Sequence, residues 1–494
     1  MSVKISSGGH SWEQPTQLFI DNEFVDATSG KTITAYDPST EEPLASVQAA
    51  NAADIDRAVK SSRKAFKTTW RNVSGSERAA LLLKLADLLE EQAELFSVLE
   101  ATNGGKPRFT NAIGDVEEGY TILRHYAGYA DKIKGQLIME DPKRHTYTRH
   151  QPFGVVGAVI PWNYPLATSI WKIAPALAAG NTLVLKTAEN TPLSMLYFGN
   201  LVKAAGIPPG VLNIVSGFGA EAGAALASHM DVDKLTFTGS TMVGQKIMEQ
   251  AAKSNVKDVL LELGGKSPMV VFKDSDIDQA AEWAFIGIMY NMGQVCCATS
   301  RLIVEDEVYD EFLAKFAAVV KKEAIIGDVH DEKTTHGPQI SKAQFEKVLN
   351  YIKIGQDEGA RVVCGGKRWG TRGYYIEPTI LADVKPDDRV AQEEIFGPVA
   401  SVIRFKGYDE GVAIANNSQY GLGGAVFTRD ISKAHQAAAE IDTGTVWINS
   451  SNDQTIYVPF GGHKMSGVGS ELGSYGLDSY LRPKTVQVNL SYKL

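Results

Sequence analysis

From about residue 152 the chain alternates short apolar runs with Ala-rich helical stretches, and this alternation limits its folding choices more than any other feature. The runs "GVVGAVI", "TLVLK", "VLNIVSG", "KLTFTGS" and "DVLLELGG" each end at turn residues, and between them lie segments such as "PLATSIWKIAPALAAG" and "TPLSMLYFGNLVKAAG". Runs of four to eight apolar residues bounded by turns read as buried strands, and longer stretches with helical spacing read as the crossovers of a parallel sheet. Such a sheet binds ligands at the C-terminal ends of its strands. After about 265 the pattern resumes with "SPMVVF", "RLIVE", "RVVCGG", "VASVIRF", "GGAVF" and "GTVWIN", which predicts a second α/β domain. A chain of 494 residues, 44% hydrophobic and 22% charged, has material for two or three domains of this kind.

Outside the alternating region, "SERAALLLKLADLLEEQAELFSVLEAT" (76–102) predicts one long amphipathic helix capped by Ser76 and ended by "NGGKP". The segment "GQLIMEDPKRHTYTRHQP" (135–152) and the tail "KTVQVNLSYKL" alternate polar and apolar residues, as exposed strands that favour subunit pairing do.

Charge and cysteine usage narrow the function. The formal net charge is −9, with no basic block, so nucleic acid is not an expected partner; small molecules and copies of the same chain are. Three cysteines, Cys296, Cys297 and Cys364, offer neither a disulfide framework nor zinc-ligand spacing, so no metal is expected and a reducing, cytoplasmic setting fits. No leader-like h-region or membrane-length apolar run is evident, and the terminal Tyr492-Lys493-Leu494 lacks the serine of the simple peroxisomal signal.

Several short stretches invite a chemical reading, each against a plainer one. "FTGSTMVG", with Gly239, Ser240 and Gly244, is a strand-turn-helix junction suited to phosphate, or simply a tight turn. "GFGAEAG" (217–223) has the wrong glycine spacing for a dinucleotide fingerprint. Asn163 in "PWNYP", between Trp162 and Tyr164, is a polar amide in a Pro-bounded turn, where capping is its usual role. Glu262 in "LELGGKSP" follows an apolar run; held inward, its pKa would rise and suit it to base work, whereas an exposed strand-end carboxylate is commoner. "GQVCCATSR" places two cysteines side by side, and free cysteines are most often inert core residues.

Together and in this order, "PWNYP", "LELGGKSP", "GQVCCATSR" and "EEIFGPV" resemble the signatures of the NAD(P)-dependent aldehyde dehydrogenase superfamily. The likeness runs from "LFIDNEFVDATSG" to "PFGGHKMSGVGSELG", and the intervals of 99 positions from Asn163 to Glu262 and 34 from Glu262 to Cys296 match the family's pattern. The resemblance implies a Rossmann-like cofactor-binding domain (1–130 and 152–264), a second α/β catalytic domain (265–475) and a small β oligomerisation extension (131–151 and 476–494), assembled as a homodimer or homotetramer. It makes Cys296, two residues after Gln294, the nucleophile, with Cys297 a neighbour in the tunnel. Asn163 and the Cys296 N–H would hold the oxyanion, and Glu262 would activate the hydrolytic water. Lys172 and Glu471 match a proton relay behind Glu262, although an ordinary surface salt bridge is the alternative for that pair.

For the cofactor, the resemblance implies Lys186 and Glu189 at the adenosine ribose, Ser240 at the pyrophosphate, and Glu394 and Phe396 at the nicotinamide ribose, with Trp162, Gly239 and Gly244 as further cofactor-binding positions. A carboxylate at Glu189 would repel a 2′-phosphate, which favours NAD, while Lys186 leaves some use of NADP open. Ser470 replaces an arginine common in the family. Tyr164, Trp171, Tyr290, Cys297, Ser451 and Gln454 match tunnel positions, and small or medium aliphatic or aromatic aldehydes are expected, with aminoaldehydes or betaine aldehyde as the alternative. Glu262 argues against a CoA-acylating relative, and the intact Cys296, Asn163 and Glu262 argue against a non-catalytic one. A redox switch at Cys296-Cys297 is a further reading of the pair.

Overall fold

The computed structural model describes residues 2–491; Tyr492-Lys493-Leu494 lies outside them. Two large sheets carry the architecture. The first has eight strands, with a parallel centre formed by Asp258–Glu262, Lys234–Thr238, Val155–Val159, Thr182–Lys186 and Leu212–Val215 in spatial order. The second has seven, with Thr379–Ala382, Val399–Phe405, Arg301–Glu305, Pro268–Val271, Gly423–Phe427 and Thr445–Ile448 running parallel and Arg361–Cys364 antiparallel at one edge. Nearly every residue of the central strands is buried, which is why they read as continuous apolar runs and not as alternating ones.

The first sheet also takes in residues from far along the chain. Gly467–Val468 pairs antiparallel with Leu261 and Glu262, so the 265–475 segment is shared between the two sheets. A third sheet joins Leu137–Ile138, Arg144–Pro152 and Leu481–Asn489, the two segments whose alternation predicted exposed strands. Leu137, Ile138, Met139, Val488 and Leu490 remain exposed on or beside it.

The expected single helix over 76–102 is two helices, Gly75–Glu91 and Ala93–Gly104, and its cap is Ser74, not Ser76. Ser74 Oγ accepts from the Glu77 amide while the Glu77 carboxylate accepts from the Ser74 amide at 2.7 Å, a reciprocal box that the sequence around Ser76 obscured. The break at Gln92 turns the second helix inward, where Phe96 to Gly104 are all buried. Cys364 is half-buried because its strand lies at the sheet edge.

Gly157 lies in the middle of the first sheet, opposite Val184 and Leu235. A Cβ there would stand 2.8 Å from Leu235 Cδ1 and 3.0 Å from Leu226 Cγ. Gly157→Val should therefore destabilise the fold by about 1–3 kcal/mol through overpacking; an unchanged midpoint in urea unfolding would contradict this packing.

Candidate active site

The two sheets meet end to end at a cavity of about 490 Å³. From the first sheet come residues at the C-terminal ends of parallel strands: the turn after Val155–Val159 carries Trp162, Asn163 and Tyr164, Lys234–Thr238 leads into Gly239 and Ser240, and Glu262 ends its own strand. From the second come loops that precede strands: Cys296 lies before Arg301–Glu305, and Glu394 and Phe396 lie before Val399–Phe405. Pro165 at the first helical position starts the helix directly after Tyr164 and fixes that turn.

Glycines let the loops approach this closely. A Cβ on Gly264 would fall 2.5 Å from Glu394 Oε2, and one on Gly265 would fall 2.7 Å from the Cys296 carbonyl oxygen. Asn291, Met292 and Gly293 are three consecutive residues with positive φ, and a Cβ on Gly293 would stand 2.1 Å from the Gly397 carbonyl oxygen. Gln294 anchors this turn by accepting the Ile340 amide on its side chain at 3.0 Å. Its carbonyl accepts from Asn163 Nδ2 at 3.0 Å. That bond uses one of the two N–H groups on the Asn163 amide. The buried Arg301 guanidinium, at the end of the cysteine loop, donates to the carbonyls of Lys266, Ile414 and Ala415, tying that end to the segment before Pro268–Val271 and to the helix Gly407–Asn416.

Cys296 and Glu262 both line the cavity. Burial pushes the Glu262 carboxyl up to about 8, and the negative charge of Glu471 adds to the rise, against the opposing Cys296 thiol and Lys172. The Cys296 thiol is pushed up by the adjacent Cys297 thiol, by burial and by Glu262. Lys172 and Glu471 form an ion pair of 2.7 Å with both side chains buried, so the surface salt-bridge reading is incorrect. Their charges act on Glu262 from behind the cavity wall. Glu262 and Glu471 each keep one buried carboxyl oxygen without a protein partner. Leu472, the next residue, holds φ 61 and ψ 172, a strained conformation that shapes the backbone beside Glu471.

Tyr164, Trp171, Tyr290, Cys297 and Gln454 line the cavity as expected. Ser451 does not: it is fully buried and its hydroxyl pairs with Thr299 Oγ1 at 2.8 Å, while Asn452 lines the cavity from that loop. Sequence reasoning also missed Gln344, Lys347, Asp115 and Glu118 in the wall. The last two belong to the helix Ile113–Ala127, whose mixed pattern gave no sign of a site.

Lys186, Glu189 and Gly244 stand outside this cavity. Lys186 Nζ donates to the carbonyls of Thr187 (2.8 Å) and Gly217 (2.9 Å), and Glu189 Oε1 accepts the Gly219 amide at 2.6 Å. The discounted stretch "GFGAEAG" is thus bound to the pair expected at the adenosine ribose. The helix Thr241–Lys253 begins at Ser240 with no side-chain cap, leaving its start available to an anion. An exposed carboxylate at one end, a helix start in the middle, and Trp162 edge-on to Phe396 (centroids 5.2 Å apart) beside Glu394 fit a dinucleotide.

Residues 24–486 match the aldehyde dehydrogenase family. An aldehyde dehydrogenase of Aspergillus niger is 50% identical over 485 residues, covering 98% of this chain and 97% of that protein. Aldehyde dehydrogenase [NAD(P)+] 1 of Saccharomyces cerevisiae is 49% identical, covering 97% and 96%. The NAD+ complex of an aldehyde dehydrogenase from Bacillus cereus superposes with a TM-score of 0.95 at 47% identity, covering 97% of each chain. The chain belongs to the aldehyde dehydrogenase family.

Because φ at Gly293 is +70° and the space for a Cβ is taken by a backbone oxygen, Gly293→Ala should displace the cysteine loop. The expected result is a folded protein with at least tenfold lower NADH-forming activity and an altered rate of Cys296 thiol labelling; wild-type values for both would contradict this reading of the turn.

Proposed function

We propose that the protein oxidises small and medium aliphatic or aromatic aldehydes to carboxylic acids through a covalent intermediate on Cys296, with NAD as the acceptor. The observation that carries this reading is the convergence of Cys296, Glu262 and Asn163 on one cavity. The thiolate is the nucleophilic form of cysteine, and Glu262, with its carboxyl at about 8, is suited to act as general base toward the water that follows. Attack on the carbonyl carbon places negative charge on its oxygen. The remaining Asn163 N–H and the Cys296 amide stabilise it, and loss of one such donor typically costs roughly 3–4 kcal/mol.

NAD, when bound, supplies the acceptor for the hydride that leaves the substrate carbon. The residues that would hold it are Lys186 and Glu189 at the ribose, Ser240 at the helix start, and Glu394 and Phe396 near the reacting end. Glu189 disfavours a 2′-phosphate, and Lys186 is already engaged by two carbonyls, which supports NAD over NADP. The thioester left on Cys296 is hydrolysed by water deprotonated by Glu262, and the buried Lys172–Glu471 pair is the route by which that proton is passed on. The exposed apolar residues of the third sheet support self-association through its strands.

A base with a pKa of about 8 is mostly protonated below that pH. For wild type, kcat for a short alkyl aldehyde is therefore expected to rise about tenfold per pH unit below 8 and to level above it. Glu262→Gln should lose both the activity and this limb. Steady-state NADH formation across pH 6–9 checks this, and a flat wild-type profile or full turnover by Glu262→Gln would contradict it.

A further inference from the structure

The carbonyl that holds the Asn163 amide has a second partner, to which the proposed reaction gives no role. Asn291 is 1% exposed, and its Nδ2 lies between two backbone carbonyls, donating to Gln294 O at 3.2 Å and to Asn163 O at 3.4 Å. Gln294 O also accepts from Asn163 Nδ2 at 3.0 Å. One side-chain amide therefore ties down both the backbone of Asn163 and the oxygen on which the Asn163 side chain rests. The backbone places it there. The Gln294 amide donates to Asn291 O at 3.0 Å, closing a tight turn whose central residues, Met292 and Gly293, both have positive φ, as in type I′. Asn291 itself has φ 46, a conformation that asparagine adopts more readily than most side chains. Its Oδ1 is buried with no protein partner, so the side chain is held by what it donates. Reversing the amide would set an oxygen against two carbonyl oxygens.

We propose that Asn291 is a positioning residue for the oxyanion site, acting through Asn163, which lines the cavity while Asn291 stands behind it. This rests on the aldehyde-oxidising reading and adds to it the group that pre-sets the oxyanion donors. A donor lowers the barrier only if it already points where the charge will develop. The free N–H of Asn163 has a fixed direction because its other N–H is anchored on Gln294 O, and Asn291 occupies the second lone pair of that anchor. Without the Asn291 amide, the Gln294–Val295 peptide is free to rotate. It would carry with it the Asn163 side chain and, one peptide further on, the Cys296 amide.

The test is a double-mutant cycle of Asn291→Gly and Asn163→Ala, with NADH formation from a short alkyl aldehyde followed in single turnovers at enzyme excess so that slow variants remain measurable. Glycine keeps the left-handed backbone without strain, and Asn291→Ala is a second variant that removes the amide but retains a Cβ. Each should lower the single-turnover rate on the order of 10- to 100-fold with the KM for NAD unchanged. In the Asn163→Ala background the same substitution should cost less than about threefold, because the group it positions is gone. Labelling of Cys296 by iodoacetamide, a reaction that forms no oxyanion, should stay within about threefold of wild type in both Asn291 variants. The proposal is overturned if both keep the wild-type oxidation rate, or if their losses multiply with that of Asn163→Ala. It is also overturned if iodoacetamide labelling falls as far as aldehyde oxidation, which would make Asn291 a support of the cysteine loop alone. No NADH from wild type would instead remove the aldehyde-oxidising reading itself.

Discussion

The site depends on three places where backbone meets backbone or a carboxylate with no room for a side chain. Gly264 accepts Glu394 against it, Gly265 accepts the Cys296 carbonyl, and Gly293 accepts Gly397. The first two hold loops of the second sheet against the strand end of the first, and the third holds two loops of the second sheet together. Because protein interiors are close-packed and transmit displacement, an added methyl at any of the three would move the thiol relative to Glu262 and Asn163. The rest of the site follows from this docking: Asn163 can reach the Gln294 carbonyl only because the cysteine loop has been brought to it.

Burial then sets the chemistry. A carboxyl at the end of an exposed strand would remain ionised well below neutral pH, but Glu262, enclosed with Glu471 behind it, is raised to about 8. The cation that balances this acidic interior is Lys172, itself fully buried in the helix Pro165–Ala179. Removing either partner of such a pair leaves an uncompensated charge, so the pair and Glu262 form one electrostatic unit. Ser470, where an arginine is common in the family, leaves this pair intact: its carbonyl accepts Ser479 Oγ at 2.8 Å.

Much of this was legible in the sequence because the first sheet follows a local rule. Each of its site residues stands at the end of an apolar run, where a parallel strand delivers it to the ligand edge, so position raised Asn163, Ser240 and Glu262 as candidates, each beside a plainer reading, and the family resemblance chose between them. Cys296 and Glu394 lie before strands of the second sheet, and only the family resemblance singled them out. Glu118 and Lys347 reach the cavity by helix packing, which leaves no sequence signature, while Ser451 was misplaced because a one-residue change in loop direction gives the wall to Asn452. The single long helix failed for a related reason: Gln92 carries no breaking signal, and tertiary burial of the following turn decides the matter.

The most direct test of the central claim is intact-protein and peptide mass spectrometry of Glu262→Gln after mixing with NAD and an alkyl aldehyde. The account predicts one NADH released per site and an acyl group retained on Cys296. An acyl group on Cys297, or release of NADH with neither cysteine modified, would contradict it.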